Sequence, residues 1–116
     1  MKNTLFYMLS LCLSLVFLSG CKKESDSSSV IKTLHYVFKN GEIAECHYNG
    51  ALVYSCAKNA YDSPTAIFDK DGIELAICDF AWGTSDSICF EIDSCVVVYR
   101  THPNNWNKPE VNKYGL

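Results

Sequence analysis

The chain has 116 residues and a formal net charge of −3. Residues 30–116 hold seven Lys and Arg against 11 Asp and Glu, a net charge of −4 with the histidines neutral. This balance argues against nucleic-acid binding, because contacts to phosphate need a basic patch. The length of this part of the chain predicts one small domain.

The first 20 residues are typical of a secretion signal peptide. Lys2 supplies the positive charge, and the run from Leu5 to Leu18 is 14 residues long and apolar except for Ser10 and Ser14. Such a run is shorter than the roughly 20 residues that span a bilayer. We therefore expect this segment to direct export and then to be removed.

The motif LSGC, which ends at Cys21, resembles the lipobox of bacterial lipoproteins. The resemblance implies that Cys21 receives a diacylglyceryl group, becomes the mature N-terminus and is then N-acylated. Ordinary cleavage near Gly20, with an incidental cysteine, is the alternative. Several acyl chains would anchor the protein firmly, since each buried CH₂ contributes about 0.8 kcal/mol. No Asp follows Cys21, which favours the outer membrane and leaves its periplasmic and surface faces both open.

Residues 21–29 predict a flexible tether between the lipid and the domain. After Cys21 the segment reads KKESDSSS and has no apolar residue. It therefore cannot bury enough surface to offset its chain entropy. No second apolar segment follows, so the lipid is the only membrane contact that we expect.

The remaining sequence predicts a mainly β domain. Three alternating segments come first, KTLHYVF (32–38), EIAECHY (42–48) and ALVYSCA (51–57), separated by Asn40-Gly41 and Asn49-Gly50. Asn-Gly between alternating segments indicates a tight hairpin, because both residues tolerate a positive φ. These segments predict a three-stranded meander, followed by a loop at 58–64.

Further strands are predicted along the rest of the chain. TAIFD and GIELAICD flank the turn Asp69-Lys70-Asp71-Gly72, with Ile73, Leu75 and Ile77 on one face, and SICFEI and SCVVVYR supply one or two more strands. From Thr101 onward the sequence predicts an irregular strap around Trp106. The expected fold is a small antiparallel meander, or a sandwich-like or barrel-like domain, of five to seven short strands with disulfides.

Five cysteines remain after Cys12 leaves with the signal and Cys21 is lipidated: Cys46, Cys56, Cys78, Cys89 and Cys95. In an oxidising envelope we expect disulfides. A two-residue Asn49-Gly50 turn places Cys46 opposite Val53 and Cys56 opposite Ile43, so these two cysteines lie on opposite faces. A type II′ turn centred on Gly83-Thr84 would place Cys78 opposite Cys89, within reach of a disulfide. Cys95 would then pair with Cys46 or Cys56.

No catalytic, cofactor or metal site is expected from the sequence. His35, Cys46, His47 and Cys56 include zinc-ligand types, but there is no Cys-x-x-Cys and neighbouring strand residues point to opposite faces. The Asp69 turn lacks the ligands of an EF-hand. A pairing of Cys46 with His35 stays open, although a structural role is favoured.

The segment DFAWGTSD (79–86) suggests a place for a protein partner. It puts Phe80 and Trp82 into a turn, where polar residues are usual. Large aromatic side chains there either fold back onto the core, with Trp82 under the Trp106 strap, or wait for a partner.

The part of the chain from Val53 to Cys89 also resembles an uncharacterised domain family of small Bacteroidota lipoproteins. The residues that carry the resemblance are Cys56, Asp62 to Pro64, Phe68-Asp69, Ile77-Cys78, Gly83 and Cys89. The resemblance implies no activity. This sequence departs from the family pattern in two ways: it has a single cysteine at Cys56, and it has fewer glycines between Cys78 and Cys89.

Two functional hypotheses follow. The first is a non-enzymatic envelope lipoprotein that binds a protein, such as an accessory subunit, an inhibitor or an immunity protein. The second is a small envelope enzyme or ligand-binding lipoprotein with a pocket that gathers His35, His47 and carboxylates. A flat aromatic patch would favour the first hypothesis, and such a pocket would favour the second.

Overall fold

The structure is a computed structural model and describes residues 27–116. The predicted signal peptide, Cys21 and most of the predicted tether lie outside the described residues. The elements, in chain order, are α1 (Ser27–Phe38), β1 (Gly41–Tyr48), β2 (Ala51–Lys58), β3 (Thr65–Asp69), β4 (Glu74–Asp79), β5 (Thr84–Ser85), α2 (Ile88–Glu91), β6 (Asp93–Arg100) and β7 (Val111–Asn112).

The strands form one antiparallel sheet in the order β5-β4-β3-β2-β1-β6-β7. Strands β1 to β5 are a simple meander, and β6 returns to pair with the free side of β1. The predicted mainly β fold with five to seven short strands and disulfides is confirmed. Of the architectures left open by the sequence, the open meander is the one formed by the described residues.

The prediction that residues 32–38 form a strand is wrong, because they belong to helix α1. A strand would place Leu34, Tyr36 and Phe38 on one face. Leu34 and Phe38 are indeed buried, but Tyr36 between them is exposed. A spacing of four residues fits a helix as well as a strand, and Val30 and Ile31 extend the buried stripe in the helical period. The helix begins at Ser27, so it also takes in the last three residues of the predicted tether.

The Asn40-Gly41 hairpin is therefore also wrong, and this dipeptide connects α1 to β1. Gly41 is required by packing, since an added Cβ would lie 2.0 Å from the carbonyl oxygen of Ala57. The Asn49-Gly50 hairpin is confirmed, with φ values of 49° and 78°. Its register places Cys46 opposite Val53 and Cys56 opposite Ile43, as predicted.

The turn between β3 and β4 is held by Asp69. Its carboxylate accepts hydrogen bonds from the backbone N–H groups of Asp71 (2.9 Å) and Ile73 (3.0 Å). This is the usual way in which an Asp stabilises a turn, and it confirms the predicted hairpin.

The sheet has apolar residues on both faces. The helix face packs against α1 and contains the buried residues Ile43, Tyr54, Cys56, Ala66 and Val98. The opposite face, called here the disulfide face, contains Ala44, Cys46, Val53, Ile67, Ala76 and Cys78, with Cys89 of α2 packed against it. The short chain thus divides its apolar residues between two small cores.

The C-terminal strap is tied to the sheet through Arg100. This residue is buried, and its Nε donates to the Glu42 carboxylate at 2.6 Å while an Nη1 proton goes to the carbonyl oxygen of Pro109 at 3.1 Å. A buried guanidinium is tolerated only when it is paired in this way. The predicted irregular strap is confirmed, apart from the two-residue strand β7.

Candidate functional site

A disulfide joins Cys78 to Cys89 at the β5 end of the sheet. The sulfur atoms are 1.98 Å apart and the Cα atoms 5.8 Å apart, so the predicted pairing is confirmed. The predicted type II′ turn, which was the basis for this pairing, is wrong. Cys78 pairs across the ladder with Ser85, and Asp79 with Thr84, which leaves a four-residue turn rather than a two-residue one.

Cys89 reaches Cys78 from a helical turn instead of a strand. The predicted strand at 87–92 contains α2, in which Cys89 is buried and Phe90 is exposed. Successive residues point about 100° apart in a helix, so a buried Cys89 leaves its neighbour Phe90 directed away from it. Because α2 is not a strand of the sheet, the Cys89 sulfur approaches the disulfide face from outside the sheet.

The second disulfide joins Cys46 to Cys95, with Cα atoms 4.0 Å apart. Of the two partners that the sequence left open for Cys95, Cys46 is therefore the one used. Cys56 is a buried free thiol on the helix face, so the sheet separates it from the other cysteines. Burial raises the pKa of the Cys56 thiol to about 12.

Three exposed aromatic side chains flank the Cys78–Cys89 disulfide and are called here the tip cluster: Phe80, Trp82 and Phe90. Their exposed fractions are 59%, 78% and 71%. The rings of Phe80 and Phe90 meet edge to face with centroids 5.7 Å apart. Trp82 does not pack under the Trp106 strap, so the expectation that it joins the core is wrong.

Sequence reasoning found Phe80 and Trp82 but missed Phe90. The sequence interpretation considered exposed aromatic residues only in the turn at 79–86, and Phe90 lies outside that turn. A sequence signal did exist, since Cys89 must turn inward to reach Cys78 and its neighbour must then point elsewhere. The predicted disulfide therefore also implied that Phe90 is exposed.

Strand β4, which comes before Phe80 in the sequence, carries further exposed apolar side chains. Ile73, Leu75 and Ile77 are each more than two-fifths exposed, while Ala76 and Cys78 on the other side of the strand are buried. Strand β5 covers the outer edge of β4 only at Cys78 and Asp79. Within residues 27–116, no strand pairs with this edge from Glu74 to Ile77.

A cleft of about 540 Å³ lies on the helix face, lined by Ser28, Ile31, Lys32, Glu45, Leu52, Tyr54, Tyr114 and Leu116. Glu45 and Tyr54 lie directly opposite each other on β1 and β2. Tyr114 donates its phenol proton to the Glu45 carboxylate. This hydrogen bond, with lesser contributions from burial and from the Glu45 charge, raises the pKa of Tyr114 to about 12.

The histidines do not line this cleft. His35 packs edge to face against the ring of Tyr99, with centroids 4.6 Å apart, and His47 and His102 are exposed. Cys46 is held in a disulfide, so in this state it has no thiol to pair with His35. No group of three or more His, Cys, Asp or Glu in the described part of the chain is arranged to hold a metal ion.

No protein-family model matches the chain, and neither a curated protein nor a solved structure matches it. The resemblances to bacterial lipoproteins and to the small Bacteroidota family stay predictions. None of the helices between residues 27 and 116 is long and apolar enough to cross a membrane.

Proposed function

We propose that this protein is a small cell-envelope lipoprotein, anchored to the outer membrane through Cys21, that binds another protein without catalysing a reaction. The partner would contact the tip cluster, and the protein would act as an accessory subunit, an inhibitor or an immunity protein. The observation that carries this proposal is the exposure of Phe80, Trp82 and Phe90 around one disulfide.

The tip cluster has the chemistry of a binding hot spot. Aromatic side chains bury a large area for few rotatable bonds, and Trp is enriched among the residues that dominate binding energy. Neighbouring exposed apolar groups are uncommon on a domain of this size unless something covers them.

The disulfide favours binding by limiting motion. It joins Cys78, at the end of β4, to Cys89, next to Phe90, and so fixes both ends of the segment that carries Phe80 and Trp82. A segment that is already ordered loses less conformational entropy when a partner docks. The two disulfides also support an oxidising compartment, in agreement with the export signal.

The second hypothesis was a small envelope enzyme or ligand-binding lipoprotein with a pocket of histidines and carboxylates. The cleft around Glu45 offers a carboxylate and two phenols but not the expected histidines, so it supports only the ligand-binding form of this hypothesis.

The proposal is tested by a photoreactive phenylalanine analogue placed at position 80 of the full chain in its native cells, which keeps an aromatic ring there and leaves Trp82 in place. Tyr61 is the matched control, because it is 81% exposed, lies in the 58–64 loop and belongs to neither the tip cluster nor β4. We expect one discrete adduct from position 80 and none from position 61. No adduct from position 80, or the same adducts from both positions, would contradict the proposal.

A further inference from the structure

The cleft on the helix face has the walls of a small-molecule site. Its volume of about 540 Å³ is within the range of ligand pockets. Ile31 of α1, Leu52 of β2 and Leu116 in the tail provide apolar surface. The site is thus built from three separate parts of the chain that the fold brings together.

Tyr54 contributes a phenol to the wall of this cleft. The residue is only 1% exposed and lines the cleft opposite Glu45. Burial, and secondarily the charge of Glu45, raise the pKa of Tyr54, so the hydroxyl stays protonated.

Two opposite charges line the same cleft without neutralising each other. Glu45 accepts one hydrogen bond from Tyr114 but forms no ion pair within the described residues, and Lys32 likewise has none there. A carboxylate between two phenols suits an ammonium group. The oxygen atoms can accept hydrogen bonds from the ammonium group, and the aromatic rings attract its positive charge. Lys32 suits a carboxylate.

We propose that this cleft binds a small zwitterion with an apolar body, namely an apolar amino acid or dipeptide with free ends. Its ammonium group would donate to Glu45 and to the Tyr54 oxygen, and its carboxylate would pair with Lys32. Its side chains would pack against Ile31, Leu52 and Leu116. The site lies on the helix face and does not depend on a partner at the tip cluster.

The test is isothermal titration calorimetry of the full chain in lipid nanodiscs, with leucyl-leucine as the probe. We expect saturable binding that weakens about tenfold or more, the equivalent of about 1.4 kcal/mol, in Glu45→Gln, in Tyr54→Phe and in Lys32→Gln. Glu74→Gln and Lys70→Gln remove the same charges from exposed positions outside the cleft, and they should bind as the unaltered protein does.

Blocked probes test the unaltered protein, so the result does not depend on whether a variant folds. Acetylating the amino end or amidating the carboxyl end of leucyl-leucine should each weaken binding by a similar factor. The proposal is overturned if leucyl-leucine does not saturate the protein at millimolar concentration. It is also overturned if blocked and free dipeptides bind equally, or if the control variants lose as much affinity as the cleft variants.

Discussion

Cys78 on a strand and Cys89 in a helical turn are covalently joined, and the segment between them carries Phe80 and Trp82 in exposed positions. The crosslink therefore does two things. It secures the short edge of the sheet, where β5 has only two residues, and it holds the tip cluster in one arrangement.

Replacing both Cys78 and Cys89 with Ala should lower the free energy of unfolding. In the chain-entropy account, a crosslink that closes a loop of about this length contributes roughly 3 kcal/mol. Chemical denaturation of the two proteins measures the difference. Non-reducing peptide mapping of the unaltered protein should recover the two cysteines in one linked fragment, and free thiols at both positions would contradict the assignment.

Replacing Glu42 with Gln should destabilise the fold by about 3 kcal/mol or more. The change leaves the buried guanidinium of Arg100 without its ion-pair partner, and removing one member of a buried pair typically costs 3–5 kcal/mol. Glu42 keeps some exposure, which favours the lower end of that range. The control is Glu74→Gln at an exposed position of β4, and chemical denaturation should show almost no change in its free energy of unfolding. Equal stability of the two variants would contradict the role of the ion pair.

The sequence predicted the elements whose signals are local. The Asn49-Gly50 turn determines the register of β1 and β2, and the Asp69 carboxylate stabilises the next hairpin through its own neighbouring backbone. The faces of Cys46 and Cys56 followed from the first turn alone. Such features need no knowledge of distant contacts.

Features that depend on tertiary packing were not predicted. The spacing of Leu34 and Phe38 fits both a strand and a helix. Val30 and Ile31, which come before the segment that was assigned to a strand, are also buried in the same core, and this favours the helix α1. The exposure of Trp82 depends on where the distant strap runs. The cleft combines residues from α1, the first hairpin and the tail, and no sequence spacing indicates that they meet.

The thiol of Cys56 should be unreactive in the folded protein. Its pKa is raised to about 12 by burial, so almost no thiolate exists near pH 8. Labelling with iodoacetamide should modify Cys56 only after denaturation without reductant. Modification at the same rate in native and denatured protein would contradict the burial.

The same pKa shift predicts how stability depends on pH. Between about 9 and about 12 the unfolded chain has lost the Cys56 proton while the folded chain retains it. Stability therefore falls as pH rises through this window, by up to about 1.4 kcal/mol per pH unit. The unaltered protein should lose stability more steeply above pH 9 than Cys56→Ala; parallel curves would contradict the shift.

Replacing Cys21 with Ser should abolish lipid attachment, because the diacylglyceryl group is attached to the cysteine sulfur. We expect an unprocessed precursor or a soluble protein, and loss of label after growth with a radioactive fatty acid. Cys12→Ser, within the predicted signal, should retain the label. Absence of label in the unaltered protein, together with unchanged membrane fractionation of the Ser variant, would contradict the lipobox.

The central claim is that the tip cluster serves a partner rather than the fold, and Trp82→Ala tests it with two readouts on the same protein. The free energy of unfolding should stay within about 0.5 kcal/mol of the unaltered value, as for an exposed position. The adduct formed by a photoreactive residue at position 80 should disappear, while Tyr61→Ala leaves it intact. A loss of stability of about 2 kcal/mol or more, or an undiminished adduct, would contradict the claim.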